Sequence, residues 1–162
     1  MTIAMQRRLF LLLASAFVVA CDNSATTPPP NDPTLQGAGA GPLSQLEGSP
    51  FQNEVWLDEH GQQVGILYYP RENIRVSAPC RSASGQFVCA AMQYMRNGMP
   101  VEIAHRTLDG RTSAGVKVCL KMNQPVVIVH NSVGSEDGFC RFPDGSLVSN
   151  AALEQYKMRV ID

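Results

Sequence analysis

The sequence predicts an α+β fold: a small disulfide-stapled domain with an antiparallel or mixed sheet and two to three helices, behind a disordered tether. Three observations predict it. The C-terminal two thirds alternates short apolar runs of strand period with stretches of helical period. Four cysteines, Cys80, Cys89, Cys119 and Cys140, fall in that same part. Residues 22–50 hold six prolines and four glycines, no Lys or Arg, and no aromatic residue. Such a stretch buries too little apolar surface to offset the entropy of ordering it.

The elements follow in order along residues 51–162. Residues 54–58 and 63–69 flank Glu59-His60-Gly61-Gln62, a hairpin signal with glycine in the turn. Pro70 ends the second strand or marks an edge, and residues 74–76 add a short third strand. Residues 87–96 place Val88, Ala91, Met92 and Met95 at helical spacing, with Asn97-Gly98 as the stop. Residues 101–105 alternate as a strand. Residues 113–121 read as a second helix, with Ser113 as cap and Asn123 as stop. Residues 126–130 are apolar on both faces, which predicts a central strand. Residues 138–142 form another strand, and Pro143-Asp144-Gly145-Ser146 is a turn. Residues 150–158 close the chain with a helix capped by Asn150.

The N-terminus reads as an export device. Arg7 and Arg8 precede a twelve-residue run, residues 9–20, that is apolar except at Ser15. That is short of the roughly 20 residues a membrane span needs. A buried helix is the plainer reading, but the proline-rich segment that follows would leave it to pack alone. The run ends in Val18-Val19-Ala20-Cys21, which resembles the lipobox of bacterial lipoproteins. The resemblance implies cleavage before Cys21 and acylation of Cys21 on its sulfur and amine. The partner is then a membrane, held through the lipid on Cys21. One acyl chain anchors marginally and several anchor stably. Asp22 resembles an inner-membrane retention signal, and inner against outer membrane stays open. Residues 1–20 are the expected signal peptide and residues 21–50 the lipidated cysteine and tether.

Charge narrows the partners. The chain has 13 Lys+Arg against 14 Asp+Glu, without the basic face that nucleic-acid binding requires. Loss of Arg7 and Arg8 leaves 11 basic residues against those 14 acidic ones, so polybasic attraction to lipid is not the anchor. Four cysteines after Cys21 in an exported chain predict two disulfides, with three pairings open. Their intervals of 9, 30 and 21 residues are too wide for a zinc knuckle.

An internal repeat sits at offset 25. Pro100-Val101-Glu102-Ile103-Ala104-His105 aligns with Pro125-Val126-Val127-Ile128-Val129-His130, each after a basic residue and a helix stop. If the two strands pair, His105 and His130 come close enough for a metal or proton-switch site. The plainer expectation is two strand-end histidines bonded to backbone or water.

Residues 118–157 carry a second resemblance. Cys119-Leu120-Lys121, the 124–128 strand, Gly138-Phe139-Cys140-Arg141-Phe142-Pro143-Asp144-Gly145-Ser146 and Ala151-Ala152-Leu153 together resemble the bacterial domain of unknown function 333, a family that carries a haemolysin label. That family is found in small exported proteins and lipoproteins and has no catalytic residues to transfer. The chain departs from it at Asn123-Gln124, where a glycine pair is usual, and after Ser146, where neither tryptophan nor cysteine follows. The resemblance places a cysteine at both Cys119 and Cys140 and so implies that these two are partners. Cys80 and Cys89 are then left for each other.

No G-x-S-x-G, H-E-x-x-H or phosphate loop is present, so no catalysis and no cofactor is expected. The leading expectation is a non-catalytic envelope lipoprotein that presents a small binding or structural domain to an envelope protein or glycan. Two alternatives follow. A peptidase inhibitor would use residues 143–146 or 106–111 as its rigid loop. A membrane-lytic protein would match the family label, although no segment after Cys21 is a long basic amphipathic helix.

Overall fold

The computed structural model describes residues 41 and 43–162, which fall in one compact unit. Cys21, the expected signal peptide and most of the expected tether lie outside the described residues. The described residues form β1 (Gln52–Leu57), β2 (Gln63–Tyr69), β3 (Ile74–Ser77), α1 (Ala90–Asn97), β4 (Val101–Ala104), α2 (Ala114–Lys121), β5 (Val126–His130), β6 (Glu136–Arg141), β7 (Leu147–Ser149), α3 (Asn150–Lys157) and β8 (Met158–Ile161). The fold class is α+β, with three helices among these residues.

Two antiparallel meanders, β1-β2-β3 and β5-β6-β7, close into a barrel of strand order β1-β2-β3-β7-β6-β5. Each seam is a single residue pair, Leu57 opposite His130 and Val76 opposite Val148. First strand meets first strand and last meets last, so the connectivity is that of a two-fold arrangement. The β3–β7 seam is reinforced reciprocally. Ser77 Oγ accepts the Leu147 N–H at 3.0 Å, and Ser149 Oγ accepts the Arg75 N–H at 3.3 Å. A one-pair ladder leaves backbone donors on either side of it unmatched, and two buried serines supply the acceptors.

Strand alternation divides the apolar residues into two cores. Trp56, Ile66, Val127, Val129, Phe139 and Leu147 pack inside the barrel. Leu67, Tyr69, Ile74, Val76 and Val148 face outward and meet Met92 and Met95 of α1, Val118 of α2 and Leu153 of α3. Ser113 caps α2 as expected, its hydroxyl accepting the Val116 N–H. Asn123 ends that helix with a positive φ of 56°, a conformation asparagine tolerates.

Four expectations need correction. The folded part begins before Phe51: Leu43 and Leu46 are buried in the helix-side core. Arg96 donates to the Leu43 carbonyl at 3.4 Å and pairs with Glu47, while Arg81 donates to the Glu47 carbonyl at 3.1 Å. β5 is not buried on both faces, because Ile128 is 43% exposed. The helices cover the outer faces of β2, β3 and β7, and Ile128 on the outer face of β5 lies outside that cover and meets solvent. Asn150 is not a cap but the first residue of α3, preceded by Ser149. Finally, β7 and β8 lay beyond the expected elements, and β8 pairs in parallel with β4 as a separate two-stranded sheet.

Candidate functional site

Both disulfides are formed, Cys80–Cys89 and Cys119–Cys140. The first closes the connection from β3 to α1. The second ties α2 to β6. All four cysteines are buried, so none of them offers an exposed thiol.

The run from Gly138 to Ser146 is built into the fold position by position. Gly138 leaves room for the Asn150 carboxamide, whose nitrogen would stand 2.6 Å from a Cβ at residue 138. Cys140 is bonded to Cys119. Gly145 has φ +81°, which the turn requires and which L side chains rarely adopt. Asp144 and Ser146 do more than shape the turn. Asp144 Oδ2 accepts the Ala90 N–H at 2.7 Å, and Ser146 Oγ accepts the Ala91 N–H at 3.0 Å. These are the first two backbone donors of α1, which helix geometry leaves unpaired. The β6–β7 turn therefore caps a helix more than fifty residues earlier in the chain. The cap residue in sequence, Cys89, makes no side-chain cap bond because its sulfur is in the disulfide. Burial raises the Asp144 carboxyl, but the N–H of Ala90 and the hydroxyl and N–H of Ser146 outweigh it and hold the group below its ordinary value.

A groove of about 620 Å³ lies beside this turn. Val64, Pro79, Val88, Leu147 and the Cys80–Cys89 disulfide make its apolar walls, with Gln63 and Arg141 as polar members. Val88 is 57% exposed. Arg141 is exposed and forms no ion pair among the described residues. The polar groups nearest the groove are already occupied: Asp144 with both oxygens, Ser146 as donor to Asp144 and acceptor from Ala91.

A second polar cluster sits within the barrel wall. Arg75 Nε donates to Glu54 Oε2 at 2.9 Å, and its guanidinium reaches Asp137 Oδ2 at 3.5 Å. Its Cζ lies 4.0 Å from the Tyr68 ring centre, a favourable cation–π contact. Trp56 Nε1 donates to the same Glu54 oxygen at 2.9 Å. Burial pushes the Asp137 carboxyl up, against the pull of the Gly138 N–H and of Arg75. Sequence reasoning missed this set. Its signal was alternation: Glu54 shares a strand face with Trp56, and Arg75 stands between the buried Ile74 and Val76. The cluster is an ion-pair network whose members satisfy one another.

The two repeat histidines are not brought together by strand pairing. β4 belongs to the two-stranded sheet and β5 to the barrel. His105 opens a 3-10 turn, and His130 Nδ1 lies 3.4 Å from Glu136 Oε1. The described residues contain no group of three or more His, Cys, Asp or Glu placed to hold a metal ion. The repeat of helix, stop and strand is present in both copies, but the copies serve different sheets. Among the described residues no helix is long and apolar enough to cross a membrane. Taken together, fold and groove define a disulfide-stapled α+β barrel domain with a partly apolar surface groove. No family model, curated protein or solved structure matches the chain.

Proposed function

We propose that this chain is a lipid-anchored envelope protein whose barrel domain is a non-catalytic binding module, and that the groove beside residues 143–146 receives its partner. The anchor part of the reading rests on Arg7, Arg8, the apolar run and Val18-Val19-Ala20-Cys21. The placement of residues 118–157 with the haemolysin-labelled family rests on the Gly138–Ser146 motif and the two cysteines. The binding part is carried by one observation. The reactive groups around the groove are committed to holding the fold, which leaves an apolar wall with the unpaired Arg141 beside it. Such a surface suits an envelope protein that presents an apolar side chain next to a carboxylate.

The test has two arms. Cys21→Ala should abolish acyl labelling and leave the uncut precursor; lipid-labelled product from that variant contradicts the anchor. A photoreactive side chain at Val88 should cross-link one envelope protein in cells, and Arg141→Glu should remove that cross-link. A cross-link indifferent to Arg141, or one to glycan, contradicts the protein-docking reading. Inhibition of an envelope peptidase, or vesicle leakage caused by the purified chain, would instead favour the alternatives set out from the sequence.

A further inference from the structure

On a different part of the domain, a cavity of about 490 Å³ opens between the start of the folded segment and the helices. Ser44, Arg96, Asn97 and Lys157 supply its polar lining, and Leu43 and Tyr156 part of its apolar lining. All four polar side chains can donate hydrogen bonds, and among the described residues no carboxylate lines the cavity.

Lys157 is the unusual member. The residue is only 6% exposed. Its ammonium donates to the Gly98 carbonyl at 2.7 Å and lies 5.5 Å from the Tyr94 ring centre. It has no carboxylate partner among the described residues. An ammonium has three hydrogens to place, and a buried charge is ordinarily paired because taking it out of water is costly. Burial pushes this amine down from its ordinary value. Arg96 adds a second unfilled donor. Its guanidinium pairs with Glu47 and reaches the Leu43 carbonyl, yet its Nε is buried without a partner. Glu47 therefore neutralises Arg96, and the charge of Lys157 remains.

We infer that this cavity is an oxyanion site: it takes the phosphate or carboxylate of a larger, partly apolar molecule, with Lys157 as the charge partner and Arg96 and Asn97 as further donors. An anion there gives the ammonium, already bonded to the Gly98 carbonyl, the charge partner it lacks, and the cavity is larger than a bare phosphate needs. Leu43 and Tyr156 are placed to cover the apolar remainder.

The test uses the full chain in zwitterionic detergent, followed by amide NMR shifts. The probes are inorganic phosphate, acetate, and mixed micelles containing phosphatidylglycerol or phosphatidylcholine. At least one anionic probe should shift the amides around residues 43–44, 96–98 and 156–157 saturably, while phosphatidylcholine does not. Lys157→Met should weaken that binding by about tenfold or more and leave thermal stability unchanged or raised. A response to phosphate or acetate assigns a soluble ligand, and one confined to phosphatidylglycerol assigns a lipid headgroup; both sustain the site. Asn97→Ala provides the same comparison if Lys157→Met does not fold. Absence of saturable binding by every anionic probe overturns the inference, as does binding that the substitution leaves intact.

Discussion

At Asp144 one carboxylate serves two elements, shaping its own turn and terminating α1 from a distance. Replacement by alanine should cost about 1 kcal/mol, the usual loss for an N-cap acceptor, measured by denaturant unfolding. The sign of the pH dependence follows from a folded-state pKa below the ordinary one. Stability from Asp144 is fully present above the unfolded-state value near about 4 and is lost as pH falls through the lower folded value. Asp144→Asn should therefore flatten the stability profile below about pH 4; an unchanged acid slope contradicts this assignment. Gly115 shows a different residue-scale constraint, since a Cβ there would lie 1.8 Å from the Asn150 backbone oxygen. That contact is between α2 and α3 backbones and cannot be relieved by a side-chain rotation. Gly115→Ala should destabilise by about 3 kcal/mol, read as a fall in the unfolding midpoint. The turn at residues 143–146 was legible in the sequence because proline, aspartate and glycine act locally. The capped donors were not, because they lie 54 and 55 residues away and no local pattern records them.

At the scale of elements, the barrel seam rests on Ser77 and Ser149. Each hydroxyl takes the backbone N–H that precedes the paired valine of the opposite meander. Ser77→Ala or Ser149→Ala should each cost about 1–2 kcal/mol by leaving a buried donor unmatched. The double variant should show coupling, because both serines close one seam; strict additivity in a double-mutant cycle would argue against a shared clasp. The β1–β2 hairpin was readable, since its period and glycine turn are contiguous in sequence. α2 was readable from Ser113 and Asn123, both local signals. Closure of the barrel was not, because one residue pair per seam leaves no trace in periodicity. β7 is three residues long, too short for a period. β8 is four residues long, with Val160 and Ile161 largely exposed, so apolarity does not mark its inner face. Glu54 and Arg75 stand in strands the sequence does mark, but their pairing joins β1 to β3 across 21 residues, and alternation within one strand does not record it.

Over the whole molecule, covalent and non-covalent fastening are divided unequally. The Cys119–Cys140 bond joins α2 to β6, and its removal should cost about 3 kcal/mol, chiefly through the freed unfolded chain. Nothing covalent holds residues 43–50. Their attachment rests on Leu43 and Leu46, 3% and 1% exposed, and on the Arg81 and Arg96 contacts. The proline and glycine content that predicts a tether extends through Pro50, and it hides these two leucines, whose three-residue spacing is too slight to mark an element. The physical edge of the domain is therefore set by burial and not by composition. Limited proteolysis of the full chain should leave a resistant fragment that begins near Leu43. Leu46→Ala should remove about 2–5 kcal/mol of packing and expose residues 43–50, so that the resistant fragment then begins near Phe51 while both disulfides remain intact by non-reducing mass spectrometry. A wild-type fragment that already begins at Phe51 would show that the leucines do not hold this segment. Global loss of protection in Leu46→Ala would show instead that the segment is inseparable from the barrel core.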